Sequence, residues 1–165
     1  MKKIILDSCS AILLAKASVL ESLTKTHNLS LTKPVYEEVI AGKEKMFADA
    51  LLVERLKKEN KITLVTFDKE LMDKLVADFN MGEGEASSIA VCLKDKSLML
   101  ATDNLQGRKA ANINSILLVG SIEMIVSLFK NDKIDKPKAI EALKILRKEG
   151  WFDTNLLDKA MEDIK

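Results

Sequence analysis

Five short apolar runs, each leading into a stretch of helical spacing, constrain this chain more than any other feature. Lys2 to Leu6 is rich in isoleucine, too short for a helix, and runs straight into Asp7-Ser8, residue types that favour turns and helix caps. It reads as a buried strand that delivers Asp7 to its C-terminal end. The same reasoning predicts strands over Leu29 to Thr32, Ile62 to Thr66, Leu98 to Ala101 and Ser115 to Val119. The spacing predicts one helix from Ser10 to Leu23, carrying Ala11, Leu14 and Ala15 on its apolar side and a Glu21–Lys25 pair. Pro34 opens a helix over Val35 to Ile40 that Gly42 stops, and Lys45 to Lys58 forms a longer one. Asp68 caps a helix running through Val76, and Ala86 to Lys94 and Gly107 to Asn112 supply two more. After Gly120 the chain is helical, with a polar connector at Lys130 to Lys136 and amphipathic segments at Pro137 to Lys148 and Asn155 to Ile164.

Short apolar strands alternating with helices imply parallel β-α units, right-handed crossovers and a sheet covered on both faces. The fold class is α/β. In open parallel sheets the ligand crevice lies beyond the carboxyl ends of the strands, where Asp7 and Asp103 are both expected to emerge.

At 165 residues, 47% hydrophobic and 31% charged, the chain is long enough to bury a real core and too short for a second catalytic domain. A formal net charge of +1 provides no global field for nucleic acid or membrane, so any such contact must be local. Two cysteines, Cys9 and Cys92, make neither a disulfide framework nor a metal knuckle and read as reduced thiols of a cytoplasmic protein. Asp7 interrupts the N-terminal apolar stretch and Lys16 falls where a signal peptide would be cut, which argues against secretion. No run approaches the roughly 20 apolar residues of a membrane span.

Several common chemistries lack their residues. There is no phosphate-binding G-x-x-x-x-G-K-[ST], and Gly82-Glu83-Gly84-Glu85 would set two carboxylates against a pyrophosphate. His27, the single histidine, sits in a turn-like Thr26-His27-Asn28 and reads as a surface loop residue. Cys9 reads as a buried small residue beside a site rather than a nucleophile, because no histidine is placed to activate it.

The positive signal is carboxylates at element ends. Taken singly, Asp7 and Asp103 each read as a helix cap. Together with Glu38 on the Pro34 helix and Glu83 or Glu85 at the glycine-rich helix start, they form a set that needs protons or hard cations to coexist. Oxygen-only ligands suit Mg²⁺ or Mn²⁺.

These residues carry a resemblance. Ile5-Leu6-Asp7-Ser8-Cys9-Ser10-Ala11-Ile12-Leu13-Leu14-Ala15-Lys16 resembles the opening strand and helix of PIN-domain proteins, in particular a prokaryotic subgroup opening D-T-S-P-L-I-x-L-A-K. Pro34-Val35-Tyr36-Glu37-Glu38-Val39 is similar to that family's second acidic motif, and Gly82-Glu83-Gly84-Glu85-Ala86 to the subgroup's G-E-x-E-A segment. Leu100-Ala101-Thr102-Asp103-Asn104 with Gly107-Arg108-Lys109-Ala110 resembles the fourth motif and its G-R-x-A helix. Leu64-Val65-Thr66-Phe67-Asp68 mimics that fourth motif but precedes the third, so Asp68 is assigned to helix capping.

The resemblance implies a three-layer α/β/α PIN-like domain over residues 1–130 and a helical C-terminal extension over 131–165, packed on the domain or on a partner. It implies a metal-dependent ribonuclease whose pocket is formed by Asp7, Glu38, Glu85 and Asp103, with Glu83 as a further acidic residue. Asp7, Asp103 and Glu85 are the expected ligands of Mg²⁺ or Mn²⁺, which lowers the pKa of a bound water and polarises the scissile phosphate. Glu85 or Glu38 orients that water or completes a second metal site. Carboxylates repel an RNA backbone, so Arg108, Lys109, Lys16 and Lys33 are the candidate phosphate contacts. A homodimer and a protein antitoxin are the partners that a toxin of a toxin–antitoxin pair would have.

Cys9 stands where the family has a small hydroxyl residue, and Asn104 where relatives often carry a second aspartate. These two departures motivate the alternative, a PIN-like RNA-binding or protein-interaction module with little or no turnover. A phosphohydrolase or phospho-acceptor acting through Asp7 is a third reading, and Val119-Gly120-Ser121 lacks the lysine it would need. With only 4% aromatic residues, base-stacking platforms are not expected, and Trp151-Phe152 reads as core or dimer packing.

Overall fold

The structure, a computed structural model, describes residues 1–165. Five strands form one parallel sheet: β1 (Lys3–Leu6), β2 (Asn28–Thr32), β3 (Ile62–Val65), β4 (Met99–Ala101) and β5 (Leu117–Val119), in the order β3-β2-β1-β4-β5. The chain builds outward from β1 on one side through β2 and β3, then returns to its other side with β4 and β5. The sheet thus reverses direction of growth between β1 and β4, the switch point beyond whose carboxyl ends open parallel sheets hold their ligands.

Ten helices cover the sheet: α1 (Ser8–Lys16), α2 (Leu20–Thr24), α3 (Lys33–Ile40), α4 (Ala48–Lys58), α5 (Lys69–Phe79), α6 (Glu83–Lys94), α7 (Leu105–Ile113), α8 (Ser121–Lys130), α9 (Lys136–Glu149) and α10 (Thr154–Asp163). Strand alternation divides the core into two layers. Ile4 and Leu6 point into a cluster of 29 buried residues shared with α1, α3, α4 and the C-terminal helices. Ile5 points the other way, into a cluster of 13 under α5, α6 and α7. This is the α/β class expected, arranged as three layers, helix, sheet and helix. Helix α9 packs on α1 and α8, and α10 on α8 and α9, so Leu143, Leu146 and Leu157 share the larger cluster with Leu14 and Leu20. No helix is long and apolar enough to cross a membrane.

The helix boundaries depart from the sequence expectation at several points for one recurring reason. The single helix expected over Ser10 to Leu23 is two, because Ser18 adopts a left-handed backbone (φ 58°) and the Val19 N–H donates to the Leu14 carbonyl at 3.1 Å. That six-residue closure ends a helix without a glycine. It recurs at Met46, Asn60, Ser115 and Asp132, all left-handed, while no glycine in the chain has a positive φ. Gly42 accordingly does not stop α3: the chain continues through a 3-10 turn, Ala41–Lys45, and α4 begins at Ala48. Helix α6 starts at Glu83 rather than Ala86, and α7 at Leu105 rather than Gly107.

Candidate active site

Each acidic side chain singled out in the sequence stands at the carboxyl edge of the sheet for a local reason. Asp7 is the first residue past β1 and caps α1: its Oδ1 accepts the Ser10 N–H at 2.8 Å. The Asp7 N–H donates to the Ala101 carbonyl at 3.1 Å, which locks the two strand ends together. The side chain is only 2% exposed and its second oxygen, Oδ2, has no hydrogen-bond partner. Burial pushes its carboxyl up from 3.8 to about 6, with the Asp103 charge adding to the rise and the Thr102 and Ser10 hydroxyls opposing it.

Asp103 leaves β4 two residues after Ala101 and does not cap the helix that follows. Asn104 does, accepting from the Gln106 and Gly107 N–H groups at 2.8 and 3.1 Å. Asp103 instead crosses to the start of α8. Its Oδ1 accepts the Ser121 N–H at 2.8 Å, and its Oδ2 accepts the Ser121 hydroxyl and, at 3.1 Å, the Ser10 hydroxyl.

Glu38, exposed on α3, accepts the Ser8 hydroxyl on Oε2. Its carboxylate lies against Gly84 of α6, so closely that a Cβ there would stand 2.6 Å from Oε1. Glu85, one residue on, is half-buried in the first turn of α6, and its Oε2 also lacks a partner. Burial raises the Glu85 carboxyl, and the Asp7 and Glu38 charges raise it further. Asp103 thus acts on Asp7, and Asp7 and Glu38 act on Glu85, so the four carboxylates form one electrostatic unit. Three of them sit at the N-termini of α1, α6 and α8, whose partial positive charge offsets part of the repulsion. Glu83 is exposed at the start of α6.

Two buried carboxylate oxygens with no protein donor are an unsatisfied pair that a hard, oxygen-seeking cation would complete. No three acidic, cysteine or histidine side chains converge as a preformed cage. Mg²⁺, which keeps several waters and binds through one or two carboxylates, needs none.

Around this unit the structure separates the other candidates. Cys9 is exposed rather than buried, because the second helical position of α1 turns away from the sheet. Partial desolvation and the Asp7, Asp103 and Glu85 charges push its thiol up to about 12, which keeps it protonated and unreactive. Arg108 lies directly behind the β4 end, donating from Nη1 to the Thr102 carbonyl at 3.0 Å. Lys109 is exposed on the same helix. Lys33 begins α3 beyond the end of β2 and pairs loosely with Glu37 at 3.7 Å. Lys16 is not brought to the site: it ends α1, far from the capped start, and pairs with Glu149 at 3.2 Å. His27 contacts Thr26 just before β2, at the opposite edge of the sheet. Asp68 caps α5 through the Leu71 N–H at 3.0 Å and takes no part.

Sequence reasoning missed the residues that hold the carboxylates: Ser8, Ser10, Gly84 and Ser121. Ser8 and Ser10 carried a signal, since hydroxyls one and three residues after a capping aspartate stand in the first turn of the helix at the sheet's carboxyl edge, where they donate to Glu38 and Asp103. Ser121 carried none, because only folding brings α8 to the end of β4.

Neither the curated proteins nor the solved structures include a match to this chain. The sequence model of one family, described as a PIN domain, matches residues 3–165, nearly the whole chain including α9 and α10. With its all-parallel five-stranded sheet and acidic carboxyl edge, the chain belongs to the PIN-domain family, whose members are generally nucleases.

Proposed function

We propose that the chain is a Mg²⁺- or Mn²⁺-dependent ribonuclease that hydrolyses RNA phosphodiester bonds at the Asp7, Glu38, Glu85 and Asp103 edge. The observation that carries this reading is the pair of buried carboxylate oxygens without donors, Asp7 Oδ2 and Glu85 Oε2. Asp7, Glu85 and Asp103 are the residues that would hold the ion. When bound, it supplies a water of lowered pKa and neutralises charge on the scissile phosphate.

The chain's own residues do the rest. Ser10 and Ser121 fix both oxygens of Asp103, so that carboxylate is oriented before substrate arrives. Glu38 is tethered by Ser8, is exposed and acts electrostatically on Glu85, and in this role it accepts a proton from the attacking water. Arg108, Lys109 and Lys33 provide the local positive charge that a near-neutral chain needs to meet a phosphate backbone. Within this proposal the chain acts as the toxin of a toxin–antitoxin pair. That part rests on the motif resemblance, and expression of the chain alone then arrests growth where Asp7→Asn does not.

The test is cleavage of single-stranded and structured RNAs by the purified chain with Mn²⁺, Mg²⁺ or EDTA. Metal-dependent cutting by the wild type, absent in Asp7→Asn and Asp103→Asn, is the expected result. RNAs left intact by the wild type in both ions would instead support the RNA-binding or protein-interaction module, a reading to which the exposed thiol of Cys9 and the capping role of Asn104 lend nothing further.

A further inference from the structure

We propose that a cavity beside the acidic edge is a nucleotide subsite, in which the base of an RNA nucleotide flanking the scissile phosphate stacks on Trp151. The inference rests on the ribonuclease reading for the identity of the substrate and on separate residues for the site itself.

The cavity, about 580 Å³, lies between α8, α10 and the start of α7. Asp103, Arg108, Leu105, Trp151, Leu156 and Lys159 are among its walls. Its size falls in the range of small-ligand pockets, roughly 300–1,000 Å³, and so has room for a nucleotide. Asp103 belongs both to this cavity and to the acidic unit, so an occupant necessarily adjoins the site of reaction.

Of the aromatic pair expected in core or dimer packing, Phe152 packs on the core and Trp151 does not. Trp151 is fully exposed, in the turn between α9 and α10, and Leu105, which lines the same cavity, is nearly as exposed. The turn is nonetheless anchored on both sides of the indole: before it, the Gly150 N–H donates to the Leu146 carbonyl at 2.9 Å. Phe152 packs on the larger core cluster, and Asp153 caps α10 by accepting the Asn155 N–H at 2.7 Å. An aromatic ring held out by an anchored turn, in a cavity that aliphatic side chains also line, offers a face on which a base can stack. Arg108, Lys130 and Lys159 line the same walls as Asp103, Glu123, Asp153 and Asp163. Lys130 lies 4.0 Å from Asp163, and Asp153 is engaged in capping α10. Lys159 and Arg108, the latter already oriented by its bond to the Thr102 carbonyl, are therefore the cations that can face an adjoining phosphate.

Trp151 is the only tryptophan, so the intrinsic emission of the full chain reports on this site alone. Titration in Mg²⁺ with AMP, which has no diester to cut, and with oligoadenylate should quench the emission saturably. Ribose 5-phosphate, which lacks a base, should not. Trp151→Ala should raise the RNA concentration for half-maximal cleavage about tenfold, within the span expected for one stacked base, and Trp151→Phe should restore most of it. Because the indole is exposed, Trp151→Ala should melt with the wild type, which separates the effect from misfolding.

Quenching absent, or equal with ribose phosphate, together with wild-type RNA cleavage by Trp151→Ala would overturn the subsite and leave the nuclease standing. Quenching by AMP and oligoadenylate in a chain that cuts no RNA would sustain the subsite and sink the nuclease. An emission shift that follows protein concentration, with the mass of two chains in solution, would assign the cavity to a second copy and overturn the proposal.

Discussion

Glu38 and Gly84 meet across two helices with no room for a methyl group: a Cβ on Gly84 would stand 2.6 Å from Glu38 Oε1 and 2.9 Å from Oε2. What yields to a larger residue there is the end of a flexible, exposed side chain rather than backbone. Gly84→Ala should therefore fold, and alanine's better helix propensity offsets strain by up to about 1 kcal/mol. The Glu38 carboxylate should be pushed off the Ser8 hydroxyl, and RNA cleavage should fall about tenfold or more, as for a displaced general base. A melting temperature near the wild type's beside a large loss of rate checks this.

The raised carboxyl of Asp7 sets a pH dependence. Its folded value of about 6 exceeds the ordinary 3.8, so the native state holds the proton more tightly than the unfolded chain. The stabilising contribution is fully present below about 3.8, is lost as pH rises through the window to about 6, and stays lost above it. The full difference is roughly 3 kcal/mol. In EDTA, wild-type stability should decline across that window relative to Asp7→Asn, which cannot ionise. Urea midpoints for both proteins from acid to neutral pH measure it, and parallel curves would refute it.

Divalent cations should reverse that loss at neutral pH. An ion bound only by the native state at about a hundred times its Kd stabilises by about 2.7 kcal/mol. In a domain of this size that is a rise of roughly 5–10 °C in melting temperature. The wild type should show it with Mn²⁺ and lose it with EDTA. Asp7→Asn and Glu85→Gln, each lacking one of the two unpartnered oxygens, should respond far less.

Ser121→Ala tests the hold on Asp103. The backbone N–H at 2.8 Å remains, while the hydroxyl donor is lost from a fully buried position. A hydrogen bond to a charged group is worth about 1.5–3 kcal/mol, so stability should drop by about that amount. Cleavage should fall as well, and Ser121→Thr, which keeps the donor, should recover part of both.

Leu143 on α9 is fully buried in the same cluster as Leu14 and Leu20. Leu143→Ala should cost about 2–5 kcal/mol. A single cooperative urea transition shifted by that amount would mark α9 as part of the folding unit of residues 1–130. A separate early transition would mark residues 131–165 as an independent extension.

The legible part of the molecule was local. Ile4-Ile5-Leu6-Asp7 announces a buried strand with a capping aspartate, because apolar runs this short cannot form helices and Asp7 can serve the next helix's N–H groups. Asp68 and Pro34 are read correctly for the same reason, since a cap or a first-turn proline acts within three or four residues. Helix ends were less legible. Ser18, Met46, Asn60, Ser115 and Asp132 take the left-handed conformation usually signalled by glycine, and they do so because burying residues such as Val19 and Leu20 outweighs a local cost of about 1–2 kcal/mol.

By itself the sequence determined the alternation of strand and helix, the placement of Asp7 and Asp103 at strand ends, and the oxygen-only chemistry available there. Tertiary structure alone decided that Asp103 is gripped by Ser121 instead of capping its own helix, that Glu38 rests on Gly84, that Lys16 points away, and that Trp151 stands in the open. The physical reason is range. Capping and periodicity act over a few residues of chain, whereas strand order and helix docking follow from burying a shared core, which brings together residues that no local pattern links.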